Sequence, residues 1–181
     1  MSACRSSQES QPSAAELEEG PAEVSLSCPE QTRPSRTQDA ELIEHFCVDT
    51  DGRKHGPWLQ LSIDGVKRRS GHFEHGEQSG LWSVYDEGGA LHLQGELVGG
   101  KRQGVWTYYH LNGSKRSEST YVAGIREGAF VSWYADGFLM AEGAYRNDLE
   151  DGEWKIYGLR GKLEKTCLMD AGKQVSCTVV E

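Results

Sequence analysis

The sequence lacks most features by which a membrane protein, a nucleic-acid-binding protein or an enzyme is recognised. No run of 18 or more apolar residues is present, so no transmembrane helix is predicted. Basic residues are outnumbered, 19 against 28 acidic ones, and the formal net charge of −9 argues against nucleic acid as a partner. No Cys-x-x-Cys pair occurs among the five cysteines, so a zinc site is not expected.

Catalytic signatures are also missing. The six histidines share no common spacing, and the acidic cluster at 147–152 has no nucleophile or base beside it. Glycine-rich phosphate loops do not stand out from the general pattern of glycines. We therefore predict a protein that is not an enzyme and has no metal, no cofactor and no small-molecule substrate.

Glycine is abundant instead, with 22 residues where an average chain of this length has about 7%. The glycines are in phase, because similar stretches such as "GLWSVYDEGG" and "GVWTYYHLNG" recur every 24 residues. Each unit begins with a glycine, and these are Gly56, Gly80, Gly104, Gly128 and Gly152. A fixed period of this length indicates a repeat protein.

Three further positions recur in every unit. Two residues after the first glycine stands a large aromatic residue: Trp58, Trp82, Trp106, Phe130 or Trp154. Five residues after it stand Leu61, Tyr85, Tyr109, Trp133 and Tyr157. Nine residues after it is a second glycine: Gly65, Gly89, Gly113, Gly137 or Gly161. This second glycine often follows Asp or Asn, a pairing typical of tight hairpin turns.

Each unit is therefore predicted to be a β-hairpin, with strands near 57–62 and 66–74 in the first. A lone hairpin is marginally stable in water, so the five units must stack side by side. Burial of the first aromatic series as a ladder would hold the stack together.

The pattern Gly-x-Trp-x-x-Tyr-x-x-x-Gly resembles the MORN repeat, and more closely its variant family, over about residues 44–173. The resemblance implies an all-β fold, an elongated single-layer antiparallel sheet. Phe130 and Asp148 depart from the pattern in the fourth unit, and Thr166-Cys167 departs from it in the fifth. Proteins of this repeat type are also grouped as YwqK-like antitoxins, which implies neutralisation of a toxin as one alternative function.

The chain is predicted to divide into a tail, 1–43, and a repeat domain, 44–181. The tail is acidic, rich in Ser, Pro and Glu, and without an aromatic residue through Ala40. Such a composition cannot bury enough apolar surface to offset the entropy of ordering, so the tail is predicted to be disordered.

The predicted function is to bind a protein partner through an aromatic face of the sheet. The residues five positions into each unit would form that face, namely Tyr85, Tyr109, Trp133 and Tyr157. In the alternative interpretation, these rings are core as well. A small basic patch, from Lys67–Arg69, Lys101-Arg102 and Lys115-Arg116, is either a membrane or acidic-protein contact or a solvated strand edge.

The cysteines leave the location open. "MSAC" resembles the end of a bacterial lipobox, so Cys4 is a possible lipidation site and the chain a possible envelope lipoprotein. Without that signal the sequence indicates a cytoplasmic protein. Cys167 and Cys177 flank Gly172 and could form a disulfide across two strands, whereas free thiols would suit a cytosolic protein.

Overall fold

A computed structural model describes residues 24–180, and these form one antiparallel β-sheet with no α-helix. Its 13 strands lie side by side in the order in which they occur in the chain. The strands are β1 (Arg33–Gln38), β2 (Leu42–Val48), β3 (Lys54–Ser62), β4 (Lys67–Glu74), β5 (Glu77–Tyr85), β6 (Leu91–Val98), β7 (Lys101–Tyr109), β8 (Lys115–Val122), β9 (Ile125–Trp133), β10 (Leu139–Arg146), β11 (Leu149–Tyr157), β12 (Leu163–Asp170) and β13 (Lys173–Val179). One 3₁₀ turn, Leu159–Gly161, joins β11 to β12. The prediction of an all-β sheet of stacked hairpins is confirmed.

Two kinds of turn alternate along the sheet, one at each edge. At one edge the predicted turn glycines close three-residue loops, with φ between +72° at Gly161 and +89° at Gly137. In the first loop Gly65 donates its N–H to Ser62 O at 2.9 Å, and Ser62 donates to Val66 O at 2.8 Å. This geometry places the glycine where a side chain would be strained.

At the opposite edge the turns have two residues, both with positive φ, as a type I′ turn requires. Ala123 and Gly124 form one such turn, with φ of 50° and 93°. Gly124 also donates its N–H to Arg102 O at 2.8 Å, and the equivalent bond recurs at Gly76, Gly100, Asp148 and Gly172. These bonds tie each turn to the unit before it.

The sheet begins earlier than residue 44, where the repeat domain was predicted to start. β1, Arg33–Gln38, lies within the predicted tail and pairs with β2. Its sequence, RPSRTQ, has no apolar alternation, and only one of its six residues is even partly buried. Backbone pairing holds this strand, and that leaves no pattern in the side chains. Residues 1–23, including Cys4, lie outside the described part of the chain.

Candidate functional site

The two faces of the sheet differ in what they carry. One, here the ladder face, carries the first aromatic series, and Trp58, Trp82, Trp106 and Trp154 are each less than 7% exposed on it. The other, here the tyrosine face, carries Tyr85, Tyr109, Trp133 and Tyr157. The two series are three residues apart along a strand, so alternation of side chains places them on opposite faces.

The ladder rings pack over a column of small residues on the preceding strands. A Cβ added at Gly71 would overlap the Trp82 ring, one at Gly95 the Trp106 ring, and one at Gly143 the Trp154 ring. Ser119 and Cys167 are at the equivalent positions in the third and fifth units. This column lies 15 residues after each unit's first glycine, a regularity that the sequence contains and our prediction missed.

The rings do not form one continuous ladder. Aromatic contacts join Trp58 to Trp82 at 5.1 Å between ring centroids, and Phe130 to Trp154 at 5.3 Å. Trp106 instead has Tyr121 as its aromatic neighbour, at 6.4 Å. In the second unit a leucine, Leu97, takes the position that Tyr121 fills in the third, and it packs with Trp82 and Trp106 in one core cluster. The predicted ladder is thus three aromatic groups joined in part by aliphatic packing.

Cations cover the ladder face near the two-residue turns. Lys54 Nζ lies 4.7 Å from the centre of the Phe46 ring, and the Arg102 guanidinium lies 4.4 Å from that of Trp106. Arg126 lies 4.0 Å from the Tyr145 ring centre and pairs with Asp148. A cation over an aromatic face is stabilising, and its aliphatic stem shields the ring from water.

On the tyrosine face, the four predicted binding rings are half-buried and stand at the carboxyl ends of alternate strands, β5, β7, β9 and β11. Strands are ~4.8 Å apart, so successive rings in this row are about 10 Å apart. Tyr85 Oη lies 3.3 Å from Ser70 Oγ, and Tyr157 Oη donates to Glu142 Oε1 at 2.7 Å. The bond to Glu142 raises the pKa of the Tyr157 phenol.

A second apolar group lies on the same face and was not predicted. Seven exposed aliphatic residues each directly neighbour a residue that points to the ladder face, so they point to the tyrosine face. Leu81, beside Trp82, is 60% exposed, and Val105, beside Trp106, is 53% exposed. The apolar band consists of Leu81, Val98, Val105, Val122, Ile125, Leu149 and Leu168. Period-two alternation about the ladder residues could have identified it.

A shallow depression of about 270 Å³ lies on the tyrosine face, over β9, β10 and β11. Ala129 and Val131 form its apolar part, and Glu142, Glu153 and Lys155 its charged part. Lys155 Nζ lies 3.7 Å from Glu142 and 3.5 Å from Glu153. Two carboxylates therefore share one ammonium group beside Tyr157, which leaves this region acidic.

The basic residues predicted as a patch are largely engaged within the sheet. Arg68 donates to Asp86 O at 3.0 Å, Arg102 lies against Trp106, and Lys115 pairs with Glu118. These contacts favour the interpretation as solvated edge residues. Within 24–180, no group of three or more His, Cys, Asp or Glu side chains is placed to hold a metal, and no helix could cross a membrane.

Two disulfides are present in the described residues. Cys167 and Cys177 are cross-strand partners on β12 and β13 and are bonded to each other. Cys28 is bonded to Cys47 on β2, a pairing that the sequence analysis did not propose. Next to Cys28, Pro29 packs on Gly56 of β3, where an added Cβ would come within 2.6 Å of Pro29 Cδ. Together they fasten segment 28–32 over the first strands.

Comparison with known proteins identifies the class of repeat. Residues 102–123 match the family model described as MORN repeat variant, so the chain contains a MORN-variant repeat. The predicted resemblance is confirmed for that segment, and the antitoxin grouping stays a prediction.

No curated protein matches the chain. Among solved structures it is similar to TarM, in one crystal structure of that protein and in another of an S. aureus TarM mutant in complex with fondaparinux, alpha-GlcNAc-glycerol and UDP. Both align at 9% identity with a TM-score of 0.32, over 67% of this chain. The chain spans 21% of the length of TarM, about a fifth. Similarity at this level carries no functional argument.

Proposed function

We propose that this chain is a non-catalytic repeat module that binds a protein partner through the tyrosine face. The observation that carries the proposal is the apolar band, because large aliphatic side chains such as Leu81 and Val105 are more than half exposed on a sheet face. A contiguous exposed apolar surface of this kind typically marks an interaction site.

The aromatic row supports the same surface. Tyrosine and tryptophan are enriched at protein interfaces since they bury a large rigid area at low entropic cost and keep a polar group for hydrogen bonding. Half-buried rings at about 10 Å intervals, beside a band of aliphatic residues, suit a partner that spans several strands rather than a small molecule.

The charges on this face favour a particular kind of partner. Glu142 and Glu153 share Lys155 at one end of the row, and the whole chain carries a net charge of −9. A partner with apolar side chains opposite Leu81 and Val105 and a basic group opposite Glu142 would be complementary in both respects. An acidic partner, including nucleic acid, would be repelled.

The test is photo-cross-linking from single positions on each face of the full chain. A photoreactive phenylalanine analogue in place of Val105 should give one discrete adduct with the partner. The same analogue in place of Arg69, an exposed position on the ladder face, should give none. Equal adducts from both positions would contradict the proposal, and so would an adduct from Arg69 alone.

A further inference from the structure

The two ends of the sheet are protected to different extents. β1 and β13 are the outermost strands, so each has backbone N–H and C=O groups without a neighbouring strand. Beyond β1 the chain carries the Cys28–Cys47 fastening. β13 is exposed at all seven of its residues.

The sequence of β1 blocks further pairing. Asp39 donates its N–H to Leu42 O at 3.0 Å, so it faces β2, and alternate positions 37 and 35 do the same. Pro34 and Arg36 consequently direct their backbone outward. Proline has no N–H to offer an added strand, and arginine is a typical charged guard of an edge.

β13 carries no such guard along most of its length. Lys173 is its only ionisable side chain apart from the disulfide-bonded Cys177, and the next six residues read QVSCTV. Val180 donates its N–H to Glu164 O at 2.8 Å, so Thr178 and Ser176 face β12. The N–H and C=O groups of Cys177 and Val179 therefore point outward and are available.

The Cys167–Cys177 bond makes this edge a fixed one, because it holds β13 against β12 at its centre. Val175 and Val179 are 60% and 71% exposed. An uncharged, proline-free strand with β-branched residues is the kind of edge to which another strand adds.

We propose that β13 pairs antiparallel with β13 of a second copy of this chain, joining two sheets into one across a two-fold axis. Cys177 of each copy lies opposite Val179 of the other, so the outward groups of all four residues are satisfied. In this register the two Lys173 side chains are about 33 Å apart at ~3.3 Å per residue, which removes their repulsion. Pairing of β13 with β1 would instead bring Lys173 into the same strand pair as Arg33 and Arg36.

The contact is small, since it involves one short strand from each copy, and small interfaces are weak and concentration-dependent. Light scattering coupled to size-exclusion chromatography of the full chain should therefore show a mass that rises with concentration from 20.0 kDa toward twice that value. A mass of one chain at every concentration up to hundreds of micromolar would overturn the proposal.

Two substitutions locate the contact. Val179→Pro removes an outward N–H without removing a bond to β12, so it should abolish the dimer. Arg36→Pro makes the matched change at the outward side of β1 and should leave the dimer intact. Dimers of Val179→Pro equal to those of the wild type, or loss of dimers in Arg36→Pro, would each overturn the proposal.

Val179→Lys keeps the N–H and serves if proline unfolds the hairpin. It places two ammonium groups at diagonal positions about 7–8 Å apart across the two-fold axis. The dimer should then be lost at low salt and partly recovered at high salt. A dimer that is insensitive to this charge would also overturn the proposal.

Discussion

The two faces of this sheet use the same strands for different purposes. On the ladder face, tryptophan rings are nearly inaccessible and lie directly on glycines of the neighbouring strand, with cations over the rings. On the tyrosine face, rings of similar size are half-buried and aliphatic residues are exposed. A single-layer sheet has no second layer to bury its core, so one face must supply its own cover. That requirement leaves the other face free to bind.

The largest expected effect is the loss of a central ladder ring. Trp106 is 4% exposed, and its Nε1 donates to Glu96 O at 3.0 Å. Trp106→Ala should lower the free energy of unfolding by about 3–5 kcal/mol, because the cavity lies between two units. Thermal and urea unfolding followed by far-ultraviolet circular dichroism measure this. A loss below about 1 kcal/mol would show that the ladder face is not the core.

A smaller loss is expected when the glycine beneath that ring is filled. Gly95→Ala forces the Trp106 ring to move and should cost about 1–3 kcal/mol, as overpacking typically does. Gly88→Ala is the matched control, since its Cβ would meet only Asp86 Oδ1, at 3.4 Å, and its φ is not positive. Similar melting temperatures for the two variants would contradict the close approach of ring and backbone.

The cation over Trp106 should contribute less again. Arg102→Met keeps an apolar stem on the ring but removes the charge and the hydrogen bonds to the Tyr108 and Tyr121 hydroxyls, at 3.3 and 3.1 Å. We expect a loss of about 1–2 kcal/mol in urea unfolding. Lys101→Met, at the exposed neighbouring position, should leave stability within about 0.5 kcal/mol of the wild type. Equal effects would show that the cation is not part of the cover.

The smallest effect concerns the one two-residue turn without glycine. Asp148 has a φ of 65°, and its carboxylate accepts from Arg126 N at 2.9 Å and from Arg126 Nε at 3.2 Å. The backbone bond from Arg126 in particular lowers the pKa of this carboxyl group. Its stabilisation is therefore present above the unfolded-state pKa and is lost as the pH falls through the lower folded-state pKa.

Asp148→Ala should accordingly melt slightly below the wild type at neutral pH, and the difference should shrink in acid. Melting curves of both proteins between neutral and acidic pH test the sign. A difference that grows as the pH falls would contradict the role of the carboxylate.

The repeat made much of this comparison predictable. Glycines such as Gly65 and Gly113 and the rings at Trp82 and Trp106 are recorded at fixed phase, so the hairpins and the ladder followed from the sequence. Interruption of the ladder at Leu97 did not, because it depends on which rings come within contact across strands. β1 was missed since its backbone, not its side chains, is paired.

The candidate site was less predictable. Alternation separates Tyr109 from Trp106, but burial decides whether a ring is available, and burial depends on neighbouring strands. Exposure of Val105 and Leu81 therefore emerged only from the folded sheet. The Cys28–Cys47 bond was also out of reach, because the two residues are 19 apart and Cys28 lies outside any strand.

The division between the faces is tested most directly by pairing Tyr109→Ala with Trp106→Ala. The account predicts that Tyr109→Ala melts close to the wild type and gives a much weaker photo-cross-link from position 105, whereas Trp106→Ala melts early. If both variants melt early and neither shows a selective loss of the cross-link, the tyrosine face is core and the proposed binding site is wrong.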